Sequence, residues 1–273
     1  MVRMGAFSQQ MIDRSGYDTE GFARQYDRFR HRSPQVVVSI LTTYAGGQRP
    51  GLVVDLGSGT GLSARAWSEH AERVVGVEGN PHMVAQAQAA TAADNVSFVQ
   101  RLADDTAIAD GSADIVTCSQ AFHWMEPQPV LAEAARILRP GGVFAAYDYD
   151  VVPMVEPRVD QSFAAHIEAR KAARARLGIE AGATTWPKHE HLAQLRASRR
   201  FRFTREVRCH ADGTIDAAGL VGLAHCIGPS ELFGDRAPEV ATTMAELRAT
   251  ADRVIGDRPW PMLVGYTIRL GIT

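Results

Sequence analysis

The sequence predicts an α/β protein with a Rossmann-like, doubly wound sheet, on three observations. Between about residue 52 and residue 147, short apolar runs alternate with helix-length segments, which is the pattern of parallel strands joined by helical crossovers. The first run, Leu52–Leu56, is apolar at every position except Asp55, as expected of a strand covered on both faces. Glycines 57, 59 and 61 follow at once. Such a break at the carboxyl end of a parallel strand is where these sheets bind nucleotide-type cofactors.

Length, charge and cysteine content limit the class of protein. A chain of 273 residues can bury one full α/β core, so we expect a single domain over residues 1–273. The formal net charge of −2 offers no general attraction for nucleic acid or for an anionic membrane. We find no apolar run long enough to cross a bilayer, no signal peptide and no CxxC pair. We therefore expect a cytoplasmic protein with no membrane partner and no metal site.

Helices are predicted before the first strand, in residues 1–47. Tyr17–Tyr44 has helical patterning, and Ser33-Pro34 has the residue types of an N-cap followed by a first helical position. Tyr26 lies in the first of these helices, from which it could reach over a cofactor.

The cofactor-binding core is predicted in residues 48–150. The helix after the glycines is expected to begin near Thr60 and to continue to Ala71, and Asn80-Pro81 has the residue types that cap and open the next helix. A further helix is predicted over Pro127–Leu138 and is ended by Pro140-Gly141-Gly142. The remaining strands of this part are predicted at 73–78, 96–99, 114–118 and 143–147.

The regular alternation ends after Asp150. Residues 151–200 contain two predicted helices, over about 160–177 and 188–197, which we expect to form a cap together with the N-terminal helices. Residues 201–273 are expected to complete the sheet. Their first part, Phe201–Val207, alternates apolar and polar residues, as an edge or antiparallel strand does. Helices near 215–226 and 238–255 and a last strand at 262–268 follow.

Acidic residues near the strand ends favour a cofactor without phosphate. Asp55 precedes the glycine loop, where a carboxylate would repel a pyrophosphate and attract a cationic amino group. Glu78 ends the second strand about 20 residues beyond the first glycine, which is the position of a carboxylate that binds ribose hydroxyls. Asp104-Asp105 follows the third strand, and either carboxylate suits the exocyclic amine of adenine. An amino group, a ribose and an adenine without phosphate describe S-adenosylmethionine.

Four ordered motifs carry a resemblance to a known family. They are Asp55-x-Gly57-x-Gly59-x-Gly61, Glu78-x-Asn80-Pro81-x-Met83, Asp114-Ile115-Val116 and Leu138-Arg139-Pro140-Gly141-Gly142. The chain thereby resembles the class I S-adenosylmethionine-dependent methyltransferases, in particular the small-molecule branch that includes ubiquinone-biosynthesis and trans-aconitate methyltransferases. The resemblance covers roughly residues 50–148. It implies a seven-stranded sheet with a reversed last strand, in which 201–210 and 262–270 are strands six and seven.

The resemblance also implies the reaction and the site residues. The reaction is methyl transfer from S-adenosylmethionine to an oxygen, nitrogen or carbon atom of a small-molecule acceptor; a homodimer stays open. The family often has Gly-Asp-Ala after the third strand, whereas this chain has Arg101-Leu102-Ala103-Asp104. The expected cofactor-binding residues are Asp55, Gly57, Ser58, Gly59, Gly61, Glu78, Gly79, Asn80, Met83, Ala103, Asp104, Asp105, Ser119, Gln120, Trp124 and Tyr26.

His123 is the candidate catalytic residue. It lies in Ser119–Trp124, a segment after the fourth strand that is similar to a form common in the small-molecule branch. A neutral imidazole there could accept a proton near pH 7. The alternatives are that His123 orders its loop or packs beside Trp124, because methyl transfer often needs only alignment of the two substrates.

Two other functions fit parts of the sequence. Gly59-Thr60-Gly61-Leu62-Ser63-Ala64 satisfies a relaxed dinucleotide-binding pattern, so an NAD-dependent oxidoreductase stays open. A nucleic-acid methyltransferase could use the local arginines, although a solvated face is the simpler interpretation at this net charge. These arginines are Arg196, Arg199, Arg200, Arg202, Arg205 and Arg208.

Overall fold

The computed structural model describes residues 20–178, 185–227 and 234–273. The predicted helix start at Tyr17 lies outside these residues. The strands are β1 (Leu52–Leu56), β2 (Arg73–Glu78), β3 (Val96–Gln100), β4 (Ala113–Ser119), β5 (Leu138–Tyr149), β6 (Phe203–Ile215) and β7 (Trp260–Ile272). The helices of the described part are α1 (Glu20–Phe29), α2 (Gln35–Tyr44), α3 (Leu62–Arg65), α4 (Pro81–Ala89), α5 (Pro127–Ile137), α6 (Pro157–Arg176), α7 (His191–Ser198), α8 (Ala217–His225) and α9 (Pro238–Val254).

The strands form one seven-stranded sheet in the order β3-β2-β1-β4-β5-β7-β6. Strands β1 to β5 are parallel, and β7 runs antiparallel to both of its neighbours, β5 and β6. The predicted seven-stranded Rossmann-like sheet with a reversed last strand is confirmed. The strand order reverses between β1 and β4, so the carboxyl ends of these two strands border a crevice.

Strand β1 shows why the sheet is covered on both faces. Its five residues are all buried, and successive side chains point to opposite faces. Val53 packs in the cluster that contains α2, whereas Val54 and Leu56 pack in the cluster that contains α5. A strand without polar alternation therefore lies between two apolar layers, as its composition predicts.

Two local predictions in the N-terminal half are wrong. Helix α3 ends at Arg65 instead of Ala71, because tighter i to i−3 bonds, such as Trp67 N to Ala64 O (3.1 Å), replace the helical ones. These turns place the fully buried Trp67 in the core. Ser33 does not cap α2, which begins at Gln35 with no side-chain cap. Its hydroxyl instead lies 2.5 Å from that of Tyr147, so a tertiary partner replaces the local one.

The C-terminal half completes the sheet and adds a helical layer. Strands β6 and β7 pair continuously from Phe203 opposite Ile272 to Ile215 opposite Trp260, so both strands are longer than predicted. Helices α6 and α9 pack together with α8 around a separate apolar cluster that includes Phe163, Leu220 and Leu247. Within the described ranges, none of the helices has the length and apolar character needed to cross a bilayer.

Candidate active site

A cavity of about 360 Å³ opens at the carboxyl ends of the parallel strands. The loop after β1, the end of β2, the loop after β3 and the segment after β4 all contribute to its wall, because the carboxyl ends of parallel strands meet at one edge of a sheet. All the predicted site residues line this cavity except Asp55, Gly61 and Asp105. The structure therefore brings most of the predicted residues to one cavity, and the three exceptions are described separately below.

The glycine loop is closed by hydrogen bonds from its own N–H groups. Gly57 N and Ser58 N both donate to Val77 O, at 2.8 and 3.1 Å. Gly59 N donates to Glu78 Oε2 at 2.9 Å, and Gly61 N donates to Ser58 O at 2.8 Å. These four N–H groups are consequently committed to the protein and are not free for a ligand.

The first two glycines of the loop are needed for different reasons. Gly57 has φ +65°, and a Cβ there would come within 2.5 Å of the Met125 methyl group. Gly59 also has a positive φ, +54°, but a Cβ there would have no atom within 4 Å. Gly57 is therefore fixed by protein packing, whereas Gly59 keeps open space at the cavity wall.

Glu78 ends β2 and links two loops. Besides accepting from Gly59, its carboxylate accepts from Asn80 N through Oε1 at 2.8 Å. Asn80 in turn caps α4, because its Oδ1 accepts from His82 N at 2.9 Å. Burial raises the pKa of Glu78, and the bonds from backbone N–H groups oppose that rise. A carboxylate with two fixed oxygens, each with a second lone pair, thus lines the cavity.

Asp55 is fully buried and does not line the cavity. Its two carboxylate oxygens accept hydrogen bonds from the hydroxyls of Ser63 and Thr117, the latter at 2.7 Å. Burial raises the pKa of Asp55 to about 6. The expected direct contact with a cofactor amino group therefore needs correction. Ser63 lines the cavity, and Asp55 lies behind it, because the strand directs this side chain inward.

Gly61 and Asp105 are the other two predicted residues that do not line the cavity. A Cβ on Gly61 would come within 2.6 Å of the Phe98 ring, and its φ is +83°, so this glycine serves the packing of α3 against the sheet. Of the two acidic alternatives after β3, Asp104 and Ala103 line the cavity. The Asp105 side chain is 79% exposed and lies 3.9 Å from the guanidinium of Arg101. The geometry thus favours Asp104.

His123 lines the cavity in a short 3-10 turn, Phe122–Trp124. Its Nδ1 is buried, has no hydrogen-bond partner among the described residues, and lies 4.0 Å from Asp148 Oδ1. Burial, with a contribution from the charge of Lys188, lowers the pKa of His123 to about 3. This direction disfavours His123 as a proton acceptor, because a group with such a low proton affinity is a weak base at neutral pH.

Residues from outside the motifs complete the wall. Arg30 lines the cavity, with its guanidinium over the rings of Tyr26 (4.8 Å) and Tyr149 (5.3 Å). Lys188 lines it too, at the start of the 3-10 turn Lys188–Glu190. Sequence reasoning missed Arg30 and Lys188, because each comes from a segment far from the glycine loop.

Neither metal ligands nor the local arginines contribute to the described part of the cavity. Among the residues that the structure describes, no group of three or more histidine, cysteine, aspartate or glutamate side chains could hold an ion.

The arginines of residues 196–208 contribute no side chain to the described wall of the cavity. Their partners include the Tyr44 hydroxyl, 3.0 Å from Arg205, and the Thr273 carbonyl, 2.9 Å from Arg202.

The amino-acid sequence is similar to those of known methyltransferases. Residues 54–146 match a family described as a methyltransferase domain. An uncharacterized methyltransferase of Mycobacterium tuberculosis, Rv3342, is 34% identical over 117 residues, which are 43% of this chain and 46% of that protein. The uncharacterized methyltransferase YcgJ of Bacillus subtilis is 33% identical over 101 residues, 36% of this chain and 40% of its own. The chain spans about half the length or less of these curated relatives.

Solved structures share the fold over most of the described chain. A type II methyltransferase candidate from Anaeromyxobacter dehalogenans has a TM-score of 0.60 and 24% identity, covering 89% of this chain and 98% of that one. The YcgJ protein of Bacillus subtilis has a TM-score of 0.54 and 21% identity, covering 88% of this chain and 99% of its own.

Proposed function

We propose that this chain is a class I S-adenosylmethionine-dependent methyltransferase and that it transfers a methyl group from that cofactor to a small-molecule acceptor. One observation carries the choice of cofactor. The N–H groups of Gly57, Ser58, Gly59 and Gly61 are already bonded within the protein, whereas a pyrophosphate would need such groups as donors. The loop therefore fits a nucleoside without phosphate better than it fits NAD.

The polar groups of the cavity match the parts of such a cofactor. The carboxylate of Glu78 lines the wall where ribose hydroxyls would donate, and Asp104 lines it where an adenine amine would donate. Ser58 and Thr60 also belong to the cavity wall.

The residues of this chain would mainly position the two substrates. The bound cofactor supplies an activated methyl group. Trp124, Met125 and Tyr149 provide apolar wall that excludes water from the reacting atoms. We propose that residues 151–200, through Lys188, and the N-terminal helices, through Tyr26 and Arg30, form the cap over the acceptor.

The size and position of the cavity favour a small acceptor over a nucleic acid. Its volume of about 360 Å³ falls in the range typical of small-molecule sites. Side chains from α1, from the Lys188 turn and from the end of α8 all take part in its described wall. The arginines of residues 196–208 do not.

Isothermal titration tests the cofactor directly. We expect S-adenosylhomocysteine to bind the wild-type protein and NAD to give no heat. Glu78→Gln should weaken S-adenosylhomocysteine about ten-fold or more, because the charged acceptor is lost and the amide nitrogen faces the N–H of Gly59 or Asn80, which then lacks an acceptor. The exposed Glu69→Gln is the matched control and should bind like wild type. Binding of NAD in place of S-adenosylhomocysteine would overturn the proposal, and retention on heparin at physiological salt would favour a nucleic-acid acceptor.

A further inference from the structure

Lys188 presents a positively charged donor to the cavity on the side away from Glu78 and Asp104. Its ammonium lies 2.8 Å from Asp148 Oδ1 and donates to Gln120 Oε1 at 2.6 Å. An ammonium has three N–H donors, so these two partners leave one for a ligand. Because the side chain is 34% exposed and lines the cavity, that donor is within reach of an acceptor molecule.

The charge of Lys188 is not needed to neutralise Asp148. Arg269 donates to the other oxygen of Asp148, Oδ2, at 3.0 Å. Arg269 also donates to Glu206 at 3.3 Å, and Glu206 has a further ion pair with Arg208 at 3.2 Å. These five side chains carry three positive and two negative charges. Lys188 is the member of the group that lines the described cavity wall, and its partner Asp148 is also paired with Arg269, so the Lys188 ammonium can bind a ligand without leaving Asp148 unpaired.

The described groups around Lys188 differ in charge. His123 lies 4.0 Å from Asp148, and its lowered pKa, about 3, keeps it neutral near pH 7. The Arg30 guanidinium, over the rings of Tyr26 and Tyr149, adds a second positive charge to the wall. The acidic residues Glu78 and Asp104 come from the carboxyl ends of β2 and β3. Lys188 and Arg30 thus add positive charge to the wall away from Glu78 and Asp104, while Arg101 and Glu126 add one charge of each sign elsewhere in the described wall.

Gln120 helps to fix the position of the Lys188 ammonium through its side-chain amide. Gln120 has φ +53°, an uncommon conformation for a residue other than glycine. Its Nε2 donates to Tyr149 O at 3.1 Å, which turns the amide oxygen toward Lys188. Strained conformations of this kind persist where the surrounding structure enforces them, often at functional sites. Gln120 is therefore a positioning residue for the Lys188 ammonium.

We infer that Lys188 binds an anionic oxygen of the methyl acceptor, so that the substrates are organic anions carrying a carboxylate or an ionised hydroxyl. This inference rests on the proposed function, because it assigns the acceptor side of the same cavity. A fixed ammonium in a partly desolvated wall favours a charged oxygen over its neutral isostere. Where that oxygen is itself the methylated atom, it attacks the methyl group as an anion, the C–S bond breaks, and no proton has to be removed in the step.

Pairs of acids and matched neutral amides test the inference in the presence of saturating S-adenosylhomocysteine. Benzoate and cinnamate would be compared with benzamide and cinnamamide by isothermal titration at pH 7, and 4-nitrophenol would be titrated below and above its own pKa. We expect at least one anion to bind about ten-fold more tightly than its neutral counterpart, the effect of one charged hydrogen bond. Preference for the carboxylates or for the phenolate distinguishes the two sources of charge.

Two lysine variants decide whether Lys188 is responsible. Lys188→Met should abolish the preference for the anion, and Lys188→Arg should retain part of it. The control is Lys171→Met, because Lys171 is 66% exposed, lies in the same segment and pairs with Glu168. The inference is overturned if anions bind no better than their neutral counterparts, or if the preference survives Lys188→Met. Absence of S-adenosylhomocysteine binding to the wild-type protein would instead refute the proposed function, so the two failures are distinguishable.

Discussion

Replacing Asp55 by asparagine should stabilise this protein at neutral pH. The carboxyl group is fully buried between the hydroxyls of Ser63 and Thr117. An asparagine amide has nearly the same shape, and the two hydroxyls can either donate or accept. The Ala64 N–H also donates to this carboxyl and can bond the amide oxygen instead, so the variant keeps the packing and removes the buried charge. Most substitutions of a buried polar residue have the opposite effect.

The magnitude and the pH range follow from the pKa of Asp55. Burial raises that pKa from 3.8 to about 6 in the native protein, while the unfolded chain keeps the ordinary value. Between pH 4 and pH 6 the native state therefore binds more protons than the unfolded state, and stability falls as pH rises. At about 1.4 kcal/mol for each pH unit of displacement, ionisation costs the native state about 3 kcal/mol above pH 6.

Urea unfolding of both proteins at several pH values between about 4 and 8 measures this difference. Fluorescence of the fully buried Trp67 reports unfolding. The Asp55→Asn variant should match wild type within about 1 kcal/mol at pH 4 and exceed it by about 3 kcal/mol at pH 7. The exposed Asp105→Asn serves as control and should show no such trend. A stability difference that stays constant with pH, or that favours wild type at pH 7, would refute the reasoning.

Three further substitutions test the loop and the turn after β4. Gly57→Ala should cost about 2 kcal/mol or more in urea unfolding, because the new methyl group combines a positive φ with a contact 2.5 Å from Met125. Gly59→Ala should cost about 1 kcal/mol yet weaken S-adenosylhomocysteine in titration, since its Cβ enters open space at the cavity wall; unchanged affinity would contradict that assignment. His123→Ala should reduce turnover by no more than about ten-fold and leave the pH–rate profile unchanged between pH 5 and 8, because the pKa of His123 is about 3. A larger loss with an altered profile would restore His123 as a base.

The strand pattern made most of the fold predictable from sequence. In β1, consecutive apolar residues indicate a strand covered on both faces, and the two apolar clusters on either side of Val53 and Val54 confirm it. Asn80 caps α4 as its residue type and the following proline predict. Predictions from local sequence were wrong where a residue distant in sequence forms the contact. The Ser33 hydroxyl forms a hydrogen bond with the Tyr147 hydroxyl instead of capping α2. Helix α3 ends at Arg65, before the buried Trp67.

The part of the cavity that we assign to the cofactor could be predicted from sequence, but the part that we assign to the acceptor could not. Glu78 and Asp104 follow strands, so their positions in the fold follow from strand order. Lys188 and Arg30 line the same cavity although they are distant in sequence. Lys188 lies 84 residues after Asp104, and Arg30 lies 48 residues before Glu78. No local sequence pattern predicts that these distant segments line one cavity, because the packing of the helical layer brings them together. The network of Lys188 with Asp148 and Gln120 is consequently a tertiary feature.

The direction of the loop N–H groups explains how one glycine pattern can serve different cofactors. The sequence argument placed a repelling carboxylate, Asp55, beside the ligand. The structure instead places it behind Ser63, where its charge acts on the fold. Under the proposed function, discrimination against phosphate would come from Val77 O and Glu78, which accept hydrogen bonds from the N–H groups of Gly57, Ser58 and Gly59. In a phosphate-binding loop those donors face the ligand, so the acid at the end of β2 would contribute to the choice of cofactor by occupying one donor of the loop.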